Sequence, residues 1–363
     1  MRYLRFGCLR ILLALGVLAA SPLAAAPPPA PGGDRLAVRV DDAEAAAALA
    51  VLDLENAGQT VPEESWRRLF DSPGYVVLHR REAAMGVGFT DDEFKAFLRL
   101  PATRENAASW RRALEGWKRA SLSEAAALAF AYLPSGARIV ATVYPAIKPR
   151  KNSFVFEAAS NPSIFMYLDA DVTPAKFKNT VAHELHHIGL SSACPPAGAE
   201  ARRAAQPPSI RQLLKWLSAY GEGVAMLAAA GGPQVHPHEV SPAEDRARWD
   251  RDVASFDQSL ADQQRVFLDI LSGRLADEHQ IDEKMFTYFG VQGPWYTVGW
   301  RMAVTIETEL GHDRLIAAAC DPSTLLATYN VAAAAHNRSA QSKLALWSEA
   351  LVNGLESGAR EHQ

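Results

Sequence analysis

Most of this chain is patterned as helix, and strand-like patterning is confined to three short stretches. Asp41–Leu54 is alanine-rich with leucines and valine at helical spacing, and Glu105–Tyr132 is long and rich in Ala, Leu and Trp. Thr90-Asp91-Asp92-Glu93 has the form of a capping box ahead of Phe94 and Phe97. Ser241-Pro242-Ala243-Glu244 opens a further helix expected to reach about Leu275. Strand signals fall at Ala137–Tyr144, Phe154–Glu157 and Ile164–Leu168. These elements predict a mainly helical α+β fold with a small sheet. A helical N-terminal region is expected over 41–134 and a second region over 135–363.

One helix carries chemistry. After the apolar run Ser163–Leu168, residues Asp169–Thr173 turn the chain, with Thr173 as N-cap and Pro174 at the first helical position. The helix is expected to run to about Leu190. Stepped at about 100° per residue, Phe177, Val181, Leu185 and Ile188 share one stripe. His183 and His187 fall well away from that stripe, and Glu184 borders it. His183-Glu184-Leu185-His186-His187 is therefore an H-E-x-x-H sequence whose two outer histidines share one face and can reach one metal ion. Glu184 is then placed to take a proton from water beside that ion. His186 lies on the far flank and is not expected to be a ligand.

A third ligand is needed. Leu190 and Ala193 occupy the positions where the metzincin pattern continues with Gly and His, so that branch is excluded. The remaining common solution takes a carboxylate from a second helix and leaves a fourth position open. Within Ser209–Ala230, which has helical apolar spacing, Gly221-Glu222-Gly223 makes Glu222 the expected ligand. Its flanking glycines each cost roughly 1 kcal/mol relative to alanine, a cost more readily carried where a backbone must approach another element closely. On a continuous helix Glu222 falls off the most apolar stripe, so a solvated glutamate is the plain alternative. Glu200 and Glu239, both in Pro- and Ala-rich loop sequence, are weaker rivals. His236-Pro237-His238-Glu239 is read as a solvated loop because its prolines prevent an i,i+4 helical pair. His79 and His312 are read as structural or surface residues.

With Glu222-Gly223-Val224-Ala225 in the E-G-x-A form, the chain resembles the gluzincin branch of zinc metallopeptidases. More narrowly, it is similar to an uncharacterised group of exported zinc-dependent peptidases, in which a Gly-Pro-aromatic-Tyr-Thr-x-Gly segment follows the zinc helices. Here that segment is Gly293-Pro294-Trp295-Tyr296-Thr297-Val298-Gly299. The resemblance covers roughly residues 135–330 and implies a zincin-like core, with the sheet packed beside the H-E-x-x-H helix and a glutamate-bearing helix. It implies that His183, His187 and Glu222 bind Zn²⁺, that Glu184 is the general base, and that a peptide or protein is the substrate. Tyr296 is the candidate donor to the developing oxyanion, with Tyr220 a second candidate. Family geometry also suggests that the strand Ile164–Leu168 forms the cleft rim and pairs with an extended substrate. An inactive binding or scaffold protein of the cell envelope on the same fold is the alternative. A zinc hydrolase of a non-peptide amide is a third reading.

The N-terminus reads as a signal peptide over 1–26: Arg2, Arg5 and Arg10, the apolar run Ile11–Ala20, and Ala24-Ala25-Ala26. Ten apolar residues are too few for a permanent membrane anchor. Residues 27–40, beginning Pro-Pro-Pro-Ala-Pro-Gly-Gly, are expected to be a flexible leader. An exported protein, periplasmic or secreted, follows from these features. Losing three arginines makes the net charge more negative than its whole-chain value of −4, which argues against nucleic acid as a partner. Cys194 and Cys320 then remain, either as a disulfide or as two free thiols. No internal repeat, phosphate-binding glycine loop or G-x-S-x-G turn is present.

Overall fold

The three expected strands and a fourth, unexpected one build a single sheet. In this computed structural model, residues 35–156, 160–194 and 203–360 are described. The strands are β1 (Leu36–Val40), β2 (Ile139–Ala146), β3 (Phe154–Phe156) and β4 (Ser163–Tyr167), in spatial order β1-β2-β4-β3. β1 and β4 lie parallel to β2, with Val38 opposite Ala141 and Ile164 opposite Val143. β3 runs antiparallel to β4, with Phe154 opposite Phe165. β2 is buried along nearly its whole length, as a central strand of a mostly parallel sheet must be.

Two expectations are corrected by this sheet. Leu36–Val40 belongs to the region expected to be a flexible leader, yet it forms an edge strand. Its Leu-Ala-Val-Arg-Val alternation half-buries one face against the core. The strand expected to form a substrate-binding rim is β4, and it is paired on both sides by β2 and β3. β3 covers its outer edge from Ser163 to Phe165 and the Ser153 hydroxyl takes the Tyr167 N–H at 3.1 Å, so that edge is not open to a further strand.

Helices supply the rest. Ahead of β2 come α1 (Ala43–Asn56), α2 (Glu63–Phe70), α3 (Pro73–Ala84), α4 (Asp91–Arg99), α5 (Pro101–Glu105), α6 (Ala107–Lys118) and α7 (Leu122–Phe130). After β4 come α8 (Pro174–Ala193), α9 (Pro208–Leu217), α10 (Gly221–Ala230), α11 (Ala243–Ala254) and α12 (Phe256–Leu271). The chain closes with α13 (Glu278–Phe286), α14 (Pro294–Leu310), α15 (His312–Cys320), α16 (Pro322–Ser339) and α17 (Glu349–Arg360). The capping box at Thr90 is present, with Glu93 accepting from the Thr90 N–H at 2.7 Å. Long patterned stretches divide where a polar residue competes for the backbone. Ser121 accepts the Glu124 N–H at 3.2 Å and separates α6 from α7, and Ser255 separates α11 from α12. Among the described residues no helix is long and apolar enough to cross a membrane.

The packing forms two main apolar cores. The first joins β2 and β4 to α1, α6, α7 and the inner face of α8, through Leu49, Trp117, Ile139, Val143, Phe177 and Leu185. Residues of the region 41–134 thus share a core with α8. The second core unites α9, α10, α12, α14, α16 and α17 around Leu217, Phe267, Trp295, Met302 and Trp347. Each fully buried leucine or phenylalanine contributes roughly 1.5–3 kcal/mol. A disulfide between Cys194 and Cys320 joins the end of α8 to the end of α15, and so links the two cores.

Candidate metal centre

The centre lies at the seam between the cores, and α8 supplies half of it. Thr173 caps the helix by accepting the Lys176 N–H at 3.1 Å, with Pro174 at the first position. Phe177, Val181, Leu185 and Ile188 anchor its inner face. On the other side His183 and His187 stand one turn apart, with their Nε2 atoms 3.1 Å from each other. His186 points elsewhere. Its Nε2 lies 3.2 Å from the Tyr132 carbonyl, and burial, with the neighbouring His187, pulls its pKa down to about 3. A neutral imidazole that donates to that carbonyl braces α8 against the end of α7.

Glu222 comes from α10. Its Oε2 lies 3.0 Å from His183 Nε2 and 3.2 Å from His187 Nε2. These three separations are close to the edge of a tetrahedron with metal–ligand bonds of about 2.0–2.1 Å, an edge of about 3.3 Å. The donor set itself calls for a cation: two imidazole nitrogens and a carboxylate oxygen meet mainly through lone pairs. Burial alone would raise the Glu222 carboxyl, but the histidines hold it well below the usual carboxylate range. Among the described residues this is the one group of three or more His, Cys, Asp or Glu side chains placed to share a metal.

Glycine contact sets the second half of the centre. A Cβ on Gly223 would sit 2.0 Å from the Trp300 N and 2.2 Å from the Gly299 carbonyl carbon. A Cβ on Gly299 would meet the Tyr220 oxygen at 2.7 Å. The backbones of α10 and α14 thus touch directly, which side chains at these positions would forbid. Gly221, on the other flank of Glu222, faces open space and has no such role. The crossing brings Tyr296, one turn before Trp300, over the histidines. Its ring stacks on His183 with centroids 6.2 Å apart and planes 17° from parallel. Burial, then the charges of Glu222 and Glu184, push the phenol above its ordinary pKa and keep it protonated. Glu184 is partly buried; desolvation raises its pKa while His183 and His187 oppose the rise.

A family model described as "Putative zinc dependent peptidase (DUF5700)" matches residues 54–338. The chain belongs to this family. The match takes in most of both cores and all three helices that build the centre. The zinc dependence in the family's description agrees with the His183, His187 and Glu222 donor set. No curated protein and no solved structure matches the chain.

The other residues singled out from this zinc-dependent family member's sequence lie away from the triad. Tyr220 is fully buried in the second core and donates to Gln263 Oε1 at 3.0 Å. Glu239 pairs with Arg246 at 2.8 Å, and Glu200 lies outside the described residues, as do residues 1–34. The loop expected to be solvated is only partly so. His236 Nε2 lies 2.9 Å from Asp250, but His238 is buried against Trp249, its Nδ1 3.0 Å from the Ser241 hydroxyl. His79 packs among Tyr75 and Phe89. His312 lies 2.9 Å from Glu307, whose carboxylate also accepts from the Tyr132 hydroxyl at 3.0 Å. Tyr132 thereby meets both α14, through its hydroxyl, and α8, through its carbonyl. Sequence reasoning missed this brace and the role of Gly299, for which a glycine in mid-helix was the available signal.

Proposed function

We propose that this chain hydrolyses peptide bonds outside the cytoplasm, with His183, His187 and Glu222 holding zinc, Glu184 as general base and Tyr296 as oxyanion donor. The observation that supports this reading is the convergence of the His183, His187 and Glu222 ligand atoms, with the Tyr296 ring stacked on His183 and Glu184 close enough to both histidines to feel their charge. Zinc, when bound, lowers the pKa of water and polarises a carbonyl oxygen.

The chain's own groups do the rest. The Glu184 carboxylate takes a proton from the water whose oxygen bonds to the peptide carbonyl carbon. The Tyr296 O–H donates to the carbonyl oxygen as negative charge builds there, where a fixed donor stabilises the transition state more than the ground state. Glu184 then delivers its proton to the amide nitrogen as the C–N bond breaks, releasing an amine and a carboxylic acid, whose remaining proton passes to solvent or to the amine. Neutral His186 and the Gly223–Gly299 contact act earlier, by holding these groups in place.

Export is the second element of the proposal. The positive, apolar and small-residue order of the N-terminus supports it. A Cys194–Cys320 disulfide suits an oxidising compartment.

The test is the Glu184→Gln variant, purified with zinc and offered a mixed peptide library. It is expected to keep one zinc per chain and lose turnover by about a thousandfold or more. Full turnover in the zinc-loaded variant refutes the mechanism.

A further inference from the structure

The segment between α13 and α14 holds a second set of residues beside the centre, and they bear on what the peptide looks like. Gln292 has φ of 59°, the one positive value at a described non-glycine residue, and Gly290 in the same segment has 47°. Such backbone is held only where its surroundings over-determine it. Two contacts do so here, and both reach the centre. The Phe289 ring lies 6.5 Å from that of Tyr296, edge to face. The Gln292 side-chain amide approaches the Met226 sulfur, one turn beyond Glu222, at 3.9 Å.

Held this way, the segment and the last residue of α13 display apolar surface instead of burying it. Val291 is 71% exposed and Phe286 62% exposed, the two highest values among the large hydrophobic residues described. Phe286 leans on Phe289 with centroids 6.1 Å apart. An unbroken series of rings, Phe286–Phe289–Tyr296–His183, therefore runs from exposed surface to a proposed zinc ligand. Exposed apolar residues joined by ring contacts to a proposed reaction centre form a recognition surface. An extended peptide advances about 3.3 Å per residue, so the ring series spans no more than about six residues of it, counted from the centre.

We propose that Phe286, Phe289 and Val291 form the subsite for one bulky apolar side chain of the substrate, aromatic or branched aliphatic, within about six residues of the bond that is cut. The inference rests on the peptidase reading and adds the substrate's chemical class. The chemistry is desolvation: moving a leucine or phenylalanine side chain onto these rings removes apolar area from water on both partners.

The test compares peptides of an Ala/Gly background carrying a single Phe or Leu at successive positions with the all-Ala/Gly parent. The wild type is expected to favour one such peptide by at least tenfold in kcat/KM. In Phe286→Ser/Val291→Ser, which replaces the two most exposed large apolar side chains described and is checked for a wild-type circular dichroism spectrum, that ratio should fall by about tenfold. An unchanged ratio overturns the subsite. Binding of the same fluorescently labelled peptides to zinc-loaded Glu184→Gln, followed by anisotropy, separates this inference from the mechanism. A tenfold tighter Kd for the Phe or Leu peptide, lost in the triple variant, supports the subsite even if the wild type cleaves nothing. Equal affinity for both peptides overturns it even if the wild type cleaves them all.

Discussion

Two glycines flank Glu222, and substituting them should have opposite effects. At Gly223 an added Cβ would lie 2.0 Å from the Trp300 N and 2.2 Å from the Gly299 carbonyl carbon. Ordinary contact is about 3.5 Å, so α10 and α14 must part by about 1.5 Å, and both neighbours are backbone that cannot swing aside. Overpacking of this kind costs about 1–3 kcal/mol. Glu222 is the adjacent residue on the displaced helix, and metal–ligand distances tolerate only about 0.2 Å. Gly223→Ala should therefore weaken zinc binding by about 10–100-fold. Turnover of the zinc-saturated variant should fall by about a hundredfold, because Tyr296 moves away from the ligands.

Gly221→Ala is the internal control. Gly221 has helical φ and ψ of −54° and −26°, and a Cβ there meets nothing within 4 Å. Alanine should stabilise the protein by about 0.5–1 kcal/mol and leave zinc affinity unchanged. Urea denaturation, a chelator competition for zinc and peptide turnover measure all three quantities on each variant. Zinc affinity and turnover within twofold of wild type in Gly223→Ala would refute the argument that the glycine contact positions the centre. Lost stability alone would reduce that contact to packing.

Tyr296→Phe keeps the ring that stacks on His183 and removes only the donor, so kcat should fall by about 10²–10³ with zinc content unaltered; an undiminished kcat removes Tyr296 from catalysis. Glu44 is fully buried, and desolvation raises its pKa to about 8 despite the Ile147 N–H that it accepts at 3.0 Å. Between its ordinary 4.5 and about 8 the unfolded chain has released a proton that the folded chain keeps, so stability falls as pH rises through that window. Glu44→Gln should gain on wild type by on the order of 1 kcal/mol per pH unit from pH 5 to 7.5; parallel denaturation curves refute a neutral carboxyl there. Replacing both Cys194 and Cys320 by serine opens a crosslink across 126 residues and should cost about 2–4 kcal/mol in urea denaturation, whereas no change would mean that the link constrains nothing.

What could be read from the sequence follows from how local each determinant is. The H-E-x-x-H helix was legible because its cap, its proline, its apolar stripe and its two histidines lie within twenty consecutive residues and answer to one period. Glu222 was harder. A continuous helix over Ser209–Ala230 puts it off the apolar stripe, but the chain passes through a tighter turn at Ser218–Tyr220 before α10 begins. A phase carried across that break loses its meaning. Only the flanking glycines pointed to close approach, and Gly223 supplies it while Gly221 does not. Periodicity likewise joined α6 to α7 and α11 to α12, because hydrophobic spacing continues through Ser121 and Ser255 while the backbone departs from helical angles at both. β1 is five residues long and follows a proline-rich stretch, so its alternation carried little weight until β2 was there to pair with it. The enclosure of β4, the burial of His238 under Trp249 and the Cys194–Cys320 link are contacts between distant segments, and no local pattern encodes them. The centre depends on both kinds of information. α8 orients two ligand atoms by its own geometry, but the third arrives only because two glycines, seventy-six residues apart, let α10 and α14 touch. That dependence makes Gly223 and Gly299 a more searching test of the site than the ligands themselves, whose removal would abolish metal binding under almost any arrangement of the second core.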